Sequence, residues 1–243
     1  MEGDFASLLE AVRASAERLD ASTVRLTDRQ AREPSLLPGW TRGHVLTHLA
    51  SSAGAYRWML AVARTGTPPG PRPDSAELAR RLREGAGRGA DALVADLRSG
   101  LDGLLADAAA LPAGRRTVLV TALAGWRHPA WYVLWRAWRE LEVHHVDLQL
   151  GYGPRGWPRA FVLRALEEST AALAEREVPV ARVEAEDLGR SWALGGGPGP
   201  VVRGPGHALL AWFAGRGSAA ALYSDAPLPG LPPWPLPPVP GWG

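Results

Sequence analysis

The chain has 243 residues, 46% of them hydrophobic, and a formal net charge of only +2. This hydrophobic content excludes disorder throughout, and the length allows one large domain or two of ordinary size. The absence of lysine and cysteine excludes disulfides, cysteine metal sites, a thiolate nucleophile and catalytic or phosphate-binding lysines.

The N-terminal part of the chain predicts amphipathic helices. Apolar residues recur at helical spacing over residues 5–19, and a second apolar stripe covers residues 45–60 behind Thr41, which suits an N-cap. A third segment carries leucines over residues 78–104. Glycines in the middle of that segment weaken the helix and allow a break into two.

A fourth helix is predicted over residues 129–150. Pro129 suits its first turn, because a helix makes no use of an N–H group at that position, and Gly151 suits its C-terminal end. Four helices with polar outer faces predict an antiparallel bundle, which we assign to residues 1–153.

The pattern then changes to a mixture of helix and strand. Residues 159–176 predict a helix, and residues 180–194 predict two short strands around a glycine turn. A further strand is predicted at 199–204 and a further helix at 205–217.

The predicted fold class is therefore α+β, with two domains of unequal size. A four-helix bundle over residues 1–153 is followed by a smaller α+β domain over residues 154–234. The proline-rich tail at 235–243 cannot form a regular core element. Trp234 or Trp242 would anchor this tail if it wraps the surface as an extended strap.

Residues 140–150, ELEVHHVDLQL, place several charged side chains in an apolar helix. Helical phase puts Glu140 and His144 beside the apolar stripe, whereas Glu142, His145 and Gln149 are predicted to face solvent. Side chains four residues apart project about 5–6 Å from each other, which suits two ligands on one metal ion. A surface ion pair is the alternative interpretation of the same spacing.

The second helix supplies a further histidine at the margin of its apolar stripe. His48 lies between Val45 and Leu49, while His44 lies one turn nearer the capped and more exposed start. Two histidines and a carboxylate from facing helices form an ordinary three-ligand zinc set with a fourth position open. An exposed pair of helix histidines is the alternative interpretation.

Aromatic residues cluster around the start of the fourth helix. They suit core and interdomain packing, or a site for a large, flat or sugar-bearing substrate. The members are Trp126, Trp131, Tyr132, Trp135 and Trp138.

These motifs resemble a known family. LLPGWTRGHVLTHLA and WRAWRELEVHHVDLQLGYG are similar to segments of the mycothiol-dependent maleylpyruvate isomerases, within the wider DinB-like metal-binding bundle superfamily. GWPRAFVLRAL, VVRGPGHALLAWFAGRG and PLPGLPPW resemble that family's C-terminal domain. The resemblance covers nearly the whole chain in order, and it implies a DinB-like bundle for the first domain.

The resemblance also implies site residues. His48, Glu140 and His144 take the positions of the family's metal ligands, for Zn²⁺ or another divalent metal. Asp147 resembles a recurrent position with a hydrogen-bonding role behind the ligands. Arg216 is the best candidate for an arginine that holds a substrate carboxylate, with Arg203 as the alternative.

The implied reaction is the cis–trans isomerisation of maleylpyruvate to fumarylpyruvate, with mycothiol as the thiol cosubstrate. A chain without cysteine must borrow its sulfur nucleophile, which fits this reaction. Two alternatives stay open: a transferase that leaves mycothiol or another low-molecular-weight thiol on its product, in detoxification or natural-product biosynthesis, and a non-catalytic binding module.

The expected setting is a bacterial cytoplasm. The N-terminus shows no signal peptide, and no apolar run is long enough to span a membrane. All 27 basic residues are arginine, without a basic stripe, so we expect no nucleic-acid partner. The arginine, alanine and proline bias suggests a high-GC, actinobacterial genome, and a monomer is expected.

Overall fold

The computed structural model describes residues 2–176, 178–194, 199–217 and 219–232. The chain divides into two compact units, of which the first runs to Tyr152 and the second begins at Gly153. The predicted tail at 235–243, with Trp234, lies outside the described residues. None of the described helices combines the length and hydrophobicity that crossing a bilayer requires.

The first unit is mainly helical. Its elements are α1 (Glu2–Thr23), α2 (Asp28–Arg32), α3 (Arg42–Thr65), α4 (Ser75–Ala86), α5 (Ala90–Ala109), β1 (Leu119–Thr121), β2 (Arg127–Pro129) and α6 (Tyr132–Asp147). The four long helices form a closed arrangement in which α3 contacts α5 and α6, and α1 contacts the same two helices. The predicted bundle and the α+β class are confirmed.

The predicted break in the third segment is also confirmed. Helix α4 ends at Ala86 and α5 begins at Ala90, with glycines between them. A Cβ atom at Gly85 would lie 2.5 Å from the methyl carbon of Thr47, so glycine there lets α4 approach α3 closely. The short helix α4 therefore covers one side of α3.

Both predicted boundaries of the fourth helix, residues 129 and 150, are wrong. The helix α6 begins at Tyr132, and Pro129 lies instead in strand β2, where it is paired with Leu119. The β1–β2 hairpin was not predicted, although Gly125 at φ 93° supplies the left-handed residue that its turn needs. At the other end α6 stops at Asp147, because Gln149 already has a left-handed backbone at φ 52°.

The second unit combines two helices with a small sheet. Its elements are α7 (Arg159–Ala174), β3 (Arg182–Ala185), β4 (Arg190–Ala193), β5 (Val201–Gly204), α8 (Gly206–Phe213) and β6 (Tyr223–Ser224). The sheet order is β4-β3-β5-β6, with β3 and β5 parallel and the other pairs antiparallel.

The predicted elements of this unit are confirmed. Gly189, at φ 61°, lies in the turn between the two predicted strands β3 and β4. Helices α7 and α8 contact each other and cover the sheet. The two-residue strand β6 and the short 3-10 helices among the described residues of this unit were not predicted.

Candidate metal centre

The start of α3 is fixed by its cap. The Thr41 side chain accepts from the backbone N–H of His44, while the His44 side chain accepts from the Thr41 N–H, so the two form a capping box. This bond occupies Nδ1 of His44, at 3.2 Å from the Thr41 nitrogen. His44 is thus a capping residue, and His48 is the histidine one turn further along the helix.

Two long-range hydrogen bonds hold the start of α3 and the loop before it against the end of α6. The Arg42 Nε donates to the Leu148 carbonyl at 2.6 Å, and the Leu36 N–H donates to the Asp147 carbonyl at 2.8 Å. Carbonyl groups in the last turn of a helix have no partner within the helix. These bonds satisfy two of them and fix the position of α3 relative to α6.

The three predicted ligands come together between these helices. One oxygen of Glu140, Oε2, lies 3.0 Å from Nε2 of His48 and 3.3 Å from Nε2 of His144. The rings of the two histidines are 4.8 Å apart between centroids. Within the described ranges, this is the one group of at least three possible ligands whose donor atoms converge, all within 4.8 Å of one another.

The donor set fits a divalent metal ion. Tetrahedral zinc binds nitrogen and oxygen at about 2.0–2.2 Å, which puts neighbouring donors roughly 3.3 Å apart. The distances from Glu140 to the two histidines are close to that value. The side chains are only partly exposed, at 33% for His48, 22% for Glu140 and 14% for His144, so the site has both protein walls and an open side.

A buried carboxylate orients one of the histidines. Oδ2 of Asp147 lies 2.8 Å from Nδ1 of His144, and the Asp147 side chain is fully buried. Nδ1 of His144 must carry the proton in this bond, which leaves the lone pair on Nε2 for a metal. This is the hydrogen-bonding role that the resemblance implied for Asp147.

The protonation states of Glu140 and His144 depend on each other. Burial opposes the ionisation of Glu140, but hydrogen bonds with His144 and His48 outweigh it and hold the pKa of this carboxyl well below its usual range. Burial likewise favours neutral His144, but its hydrogen bonds with Asp147 and Glu140 raise its pKa to about 9. A proton on His144 therefore balances part of the negative charge of Glu140 and Asp147 in the metal-free protein, and a metal cation would take its place.

Tyr56 is a member of the site that sequence reasoning placed only in an apolar stripe. Burial, and then the neighbouring Glu140 carboxylate, raise the pKa of its hydroxyl. The hydroxyl therefore stays protonated next to the Glu140 carboxylate. The signal was available, because Tyr56 lies eight residues after His48 and so falls near the same face of α3.

The expectation that Glu142 and His145 face solvent is wrong. Their exposed fractions are only 1% and 2%. The physical reason is that α6 has α3 on one side and α1 on the other, so it has no fully solvated face. Apolar residues on every side of the helix were the missed signal; they include Leu134, Trp138, Val143 and Val146. Gln149 is exposed, as predicted.

Glu142 belongs to a separate hydrogen-bond network between α6 and α1. The carboxylate accepts from Nη2 of Arg18 at 2.5 Å, from the Tyr152 hydroxyl at 2.5 Å and from the Ser15 hydroxyl. The indole of Trp138 donates to it at 3.2 Å. A buried carboxylate with this many donors is fully compensated.

His145 completes this network. Its ring stacks on Tyr152 at 4.0 Å between centroids, and its Nε2 lies 2.8 Å from the Ser22 hydroxyl. Burial, and then the charge of Arg18, lower the pKa of His145 to about 4, so it is neutral. It therefore supports the packing of α6 on α1.

The remaining predicted residues lie in other surroundings. Arg216 follows α8, and its Nη1 donates to the Ala214 carbonyl at 2.7 Å. Arg203 is paired with Glu184 at 2.7 Å on an exposed part of the sheet. A carboxylate-binding role for either arginine stays a prediction.

The aromatic cluster divides by burial. Packing in the core accounts for the three buried members, which are Tyr132, Trp135 and Trp138. Trp126 and Trp131 are partly exposed. Trp40, which was not predicted as a site residue, packs edge-on against His48 with ring centroids 5.6 Å apart.

Comparisons with known proteins agree with this architecture. A family model described as the mycothiol maleylpyruvate isomerase N-terminal domain matches residues 12–149. The crystal structure of the mycothiol-dependent maleylpyruvate isomerase is 23% identical, with a TM-score of 0.86 over 95% of this chain and 97% of that chain. A histidine-to-alanine mutant of the mycothiol-dependent maleylpyruvate isomerase is 22% identical, with a TM-score of 0.87 over the same shares. No curated protein matches the chain.

The crystal structures support a common fold, whereas the family model supports membership of a family. At these identities the crystal structures show a common fold over nearly the whole chain. The family model covers more than half of the chain, including the helices that carry His48, Glu140 and His144. It also agrees with the expectation of an enzyme, because the family takes its name from an isomerase. The chain therefore belongs to the mycothiol maleylpyruvate isomerase N-terminal domain family.

Proposed function

We propose that this protein is a metal-dependent and mycothiol-dependent cis–trans isomerase of the maleylpyruvate isomerase type. The observation that carries the proposal is the convergence of His48, Glu140 and His144, with Asp147 behind His144. Two nitrogens and one oxygen leave a coordination position for an exogenous ligand. The absence of cysteine means that the sulfur nucleophile must come from a cosubstrate.

The chain's own residues would bind and orient the reactants. His48, Glu140 and His144 are proposed to hold Zn²⁺ or another divalent ion. When bound, such an ion supplies a Lewis acid that lowers the pKa of a coordinated thiol towards neutrality. Asp147 accepts the Nδ1 proton of His144 and so directs Nε2 of that ring towards the metal position, and the buried Tyr56 hydroxyl lies next to Glu140.

The proposed reaction returns every atom to its starting partner. The thiolate forms a C–S bond to the cis double bond, and the π electrons move into the adjacent carbonyl as an enolate. Rotation then occurs about what has become a single bond. The enolate electrons then re-form the carbon–carbon double bond and the C–S bond breaks. The thiolate is released, and the product is the trans isomer. Arg216 is proposed to hold a substrate carboxylate through its planar guanidinium.

An ultraviolet assay with maleylpyruvate tests the proposal. Purified, zinc-loaded protein is assayed with mycothiol, with glutathione and without thiol. We expect turnover only with mycothiol, and the loss of turnover when the metal is removed by a chelator. Turnover without any thiol, or undiminished turnover without metal, would contradict the proposal.

Mass spectrometry of the product separates isomerisation from S-transfer. An isomerase leaves a product with the mass of the substrate. A product that retains the mass of the thiol would establish the transferase alternative in its place.

A further inference from the structure

A cavity of about 740 Å³ lies along α3, α4 and α5 within the first unit. Small residues of the two long helices line it, namely Ala50 and Gly54 of α3 with Ser99 and Gly100 of α5. Of the described residues around it, none is a proposed metal ligand. Its volume falls within the range of about 300–1,000 Å³ that sites for small organic molecules occupy.

Gly54 shows that the space beside α3 is open. A Cβ atom added at Gly54 would meet no atom within 4 Å, whereas one added at Gly100 would lie 3.3 Å from the Cβ atom of Ala53. Glycine inside a helix is destabilising relative to alanine, and no atom of the described residues requires it at position 54. What glycine provides at this position is unfilled space.

Part of the wall is an indole with a guanidinium stacked on it. Nε1 of Trp58 donates to the Gly70 carbonyl at 3.0 Å, which fixes the connector between α3 and α4 against α3. The Arg72 guanidinium lies over the Trp58 ring, 4.1 Å from its centroid, and both residues line the cavity. A guanidinium that stacks through its face keeps the N–H groups at its edge available to an anion.

The charges around the cavity are balanced except at Arg72. Every other charged residue of the lining has an oppositely charged partner: Arg81 pairs with Glu77, Glu84 with Arg80, and Arg88 with Asp96. Among the residues that the structure describes, none accepts a hydrogen bond from Arg72 or pairs with its charge. The cavity therefore carries one positive charge that a bound anion would balance.

The lining also includes apolar side chains. Leu78 of α4 and Leu123, in the turn between β1 and β2, both line the cavity. Leu123 is 51% exposed, which leaves much of a large apolar side chain in contact with water. Apolar surface beside a single cation fits a molecule with a hydrophobic body and one anionic group.

We propose that this cavity binds a small aromatic carboxylate, as a ligand site separate from the candidate metal centre. The edge of the Arg72 guanidinium matches a carboxylate, which accepts two parallel hydrogen bonds. Trp58 and the two leucines match an aromatic body. Six residues separate His48 from Gly54, which puts them about 120° apart around the axis of α3. The site therefore does not depend on the proposed isomerase activity.

Titration calorimetry with 2-naphthoate tests the site in the full chain, with its neutral counterpart 2-naphthamide as the matched probe. We expect 2-naphthoate to bind with a Kd of about 1 mM or tighter, as its size allows. The amide should bind about 10-fold more weakly, because it cannot form the charge-assisted pair with Arg72.

The variant Arg72→Gln tests the cation. It should weaken the binding of 2-naphthoate by about 10-fold and leave that of 2-naphthamide unchanged, because only the carboxylate uses the charge. Arg83→Gln is the control, since Arg83 is an exposed residue of α4 outside the lining. It should bind both probes like the wild type.

The variant Gly54→Leu tests the space. A leucine there should abolish the binding of both probes, while thermal unfolding occurs at the same or a higher temperature because leucine favours the helix. A loss of binding in this variant then cannot be attributed to misfolding. Ala79→Leu, at an exposed position of α4 outside the lining, should bind both probes normally.

Four results would overturn the proposal. They are the absence of 2-naphthoate binding by the wild type, equal affinity for the acid and the amide, unchanged binding by Arg72→Gln, and unchanged binding by folded Gly54→Leu. The titrations are repeated after removal of metal by a chelator. Equal affinity with and without metal is expected, and binding that disappears with the metal would place the probe at the metal centre and contradict the proposal.

Discussion

The two sides of α6 carry the same residue types and use them differently. On the side of α3, Glu140 meets His48 and His144 in a partly exposed group whose donor atoms converge. On the side of α1, Glu142 is buried and receives the fixed positive charge of Arg18, with hydroxyl and indole donors around it.

The difference lies in the cation that neutralises each carboxylate. Arg18 is permanently charged and covalently part of the fold, so Glu142 has no need of an ion from solution. Glu140 is neutralised by a proton on histidine, which a metal ion can replace. A carboxylate next to arginine therefore favours a structural role, and one next to two histidines favours a metal site.

Removing a proposed ligand should break the α3 side of this comparison most strongly. We expect His48→Ala to weaken zinc binding by more than about 100-fold, because direct ligands matter more than the residues that orient them. Metal content after dialysis, measured by mass spectrometry, reports the effect. His44→Ala, one turn earlier in the same helix, should retain its metal, and full metal content in His48→Ala would contradict the assignment.

On the α1 side, Glu142→Gln should affect stability and leave metal content intact. It removes the partner of Arg18, and breaking a buried ion pair costs about 3–5 kcal/mol. Since the Arg18 side chain is 37% exposed, solvent reduces this to about 2–3 kcal/mol in the free energy of unfolding. Urea denaturation of the metal-free protein measures it. Loss of zinc without loss of stability would show that the two sides are not separate.

Asp147→Asn should produce a smaller effect on the α3 side. Losing the carboxylate behind His144 should weaken zinc binding by about 10- to 100-fold. Competition with a chromogenic chelator gives the dissociation constant. Gln149→Asn, at an exposed position two residues later, serves as the control, and equal affinities for the two variants would exclude the orienting role.

A pH-dependent effect is expected at His128, whose Nε2 lies 3.3 Å from Nη1 of Arg136. Burial lowers its folded pKa to about 4, below the unfolded value of 6.5, so the unfolded chain binds more protons between these values. The stability contributed by neutral His128 is complete above pH 6.5 and is lost as the pH falls towards 4.

We therefore expect the wild type to lose stability relative to His128→Gln over that window, by up to about 1.4 kcal/mol per pH unit. Denaturant unfolding at a series of pH values measures the difference. Parallel stability curves from pH 7 to 4 would contradict the neutral state of His128.

Local signals were sufficient for much of the fold and for the three proposed ligands. The i,i+4 spacing of Glu140 and His144 placed them on one side of their helix, and Thr41 located the start of the helix that carries His48. The predicted bundle brought the two helices together, and the family resemblance then pointed to the same three residues. The hairpin before α6 was missed, since Pro129 suits a helix start as well as an edge strand.

The sequence by itself determined that Glu140 and Glu142 lie on different sides of one helix, because two residues span 200° of helical rotation. Only the tertiary structure decided that both sides are covered, one by α3 and the other by α1. Helical phase is a local property of the chain, whereas the partner that each face meets depends on contacts between distant segments.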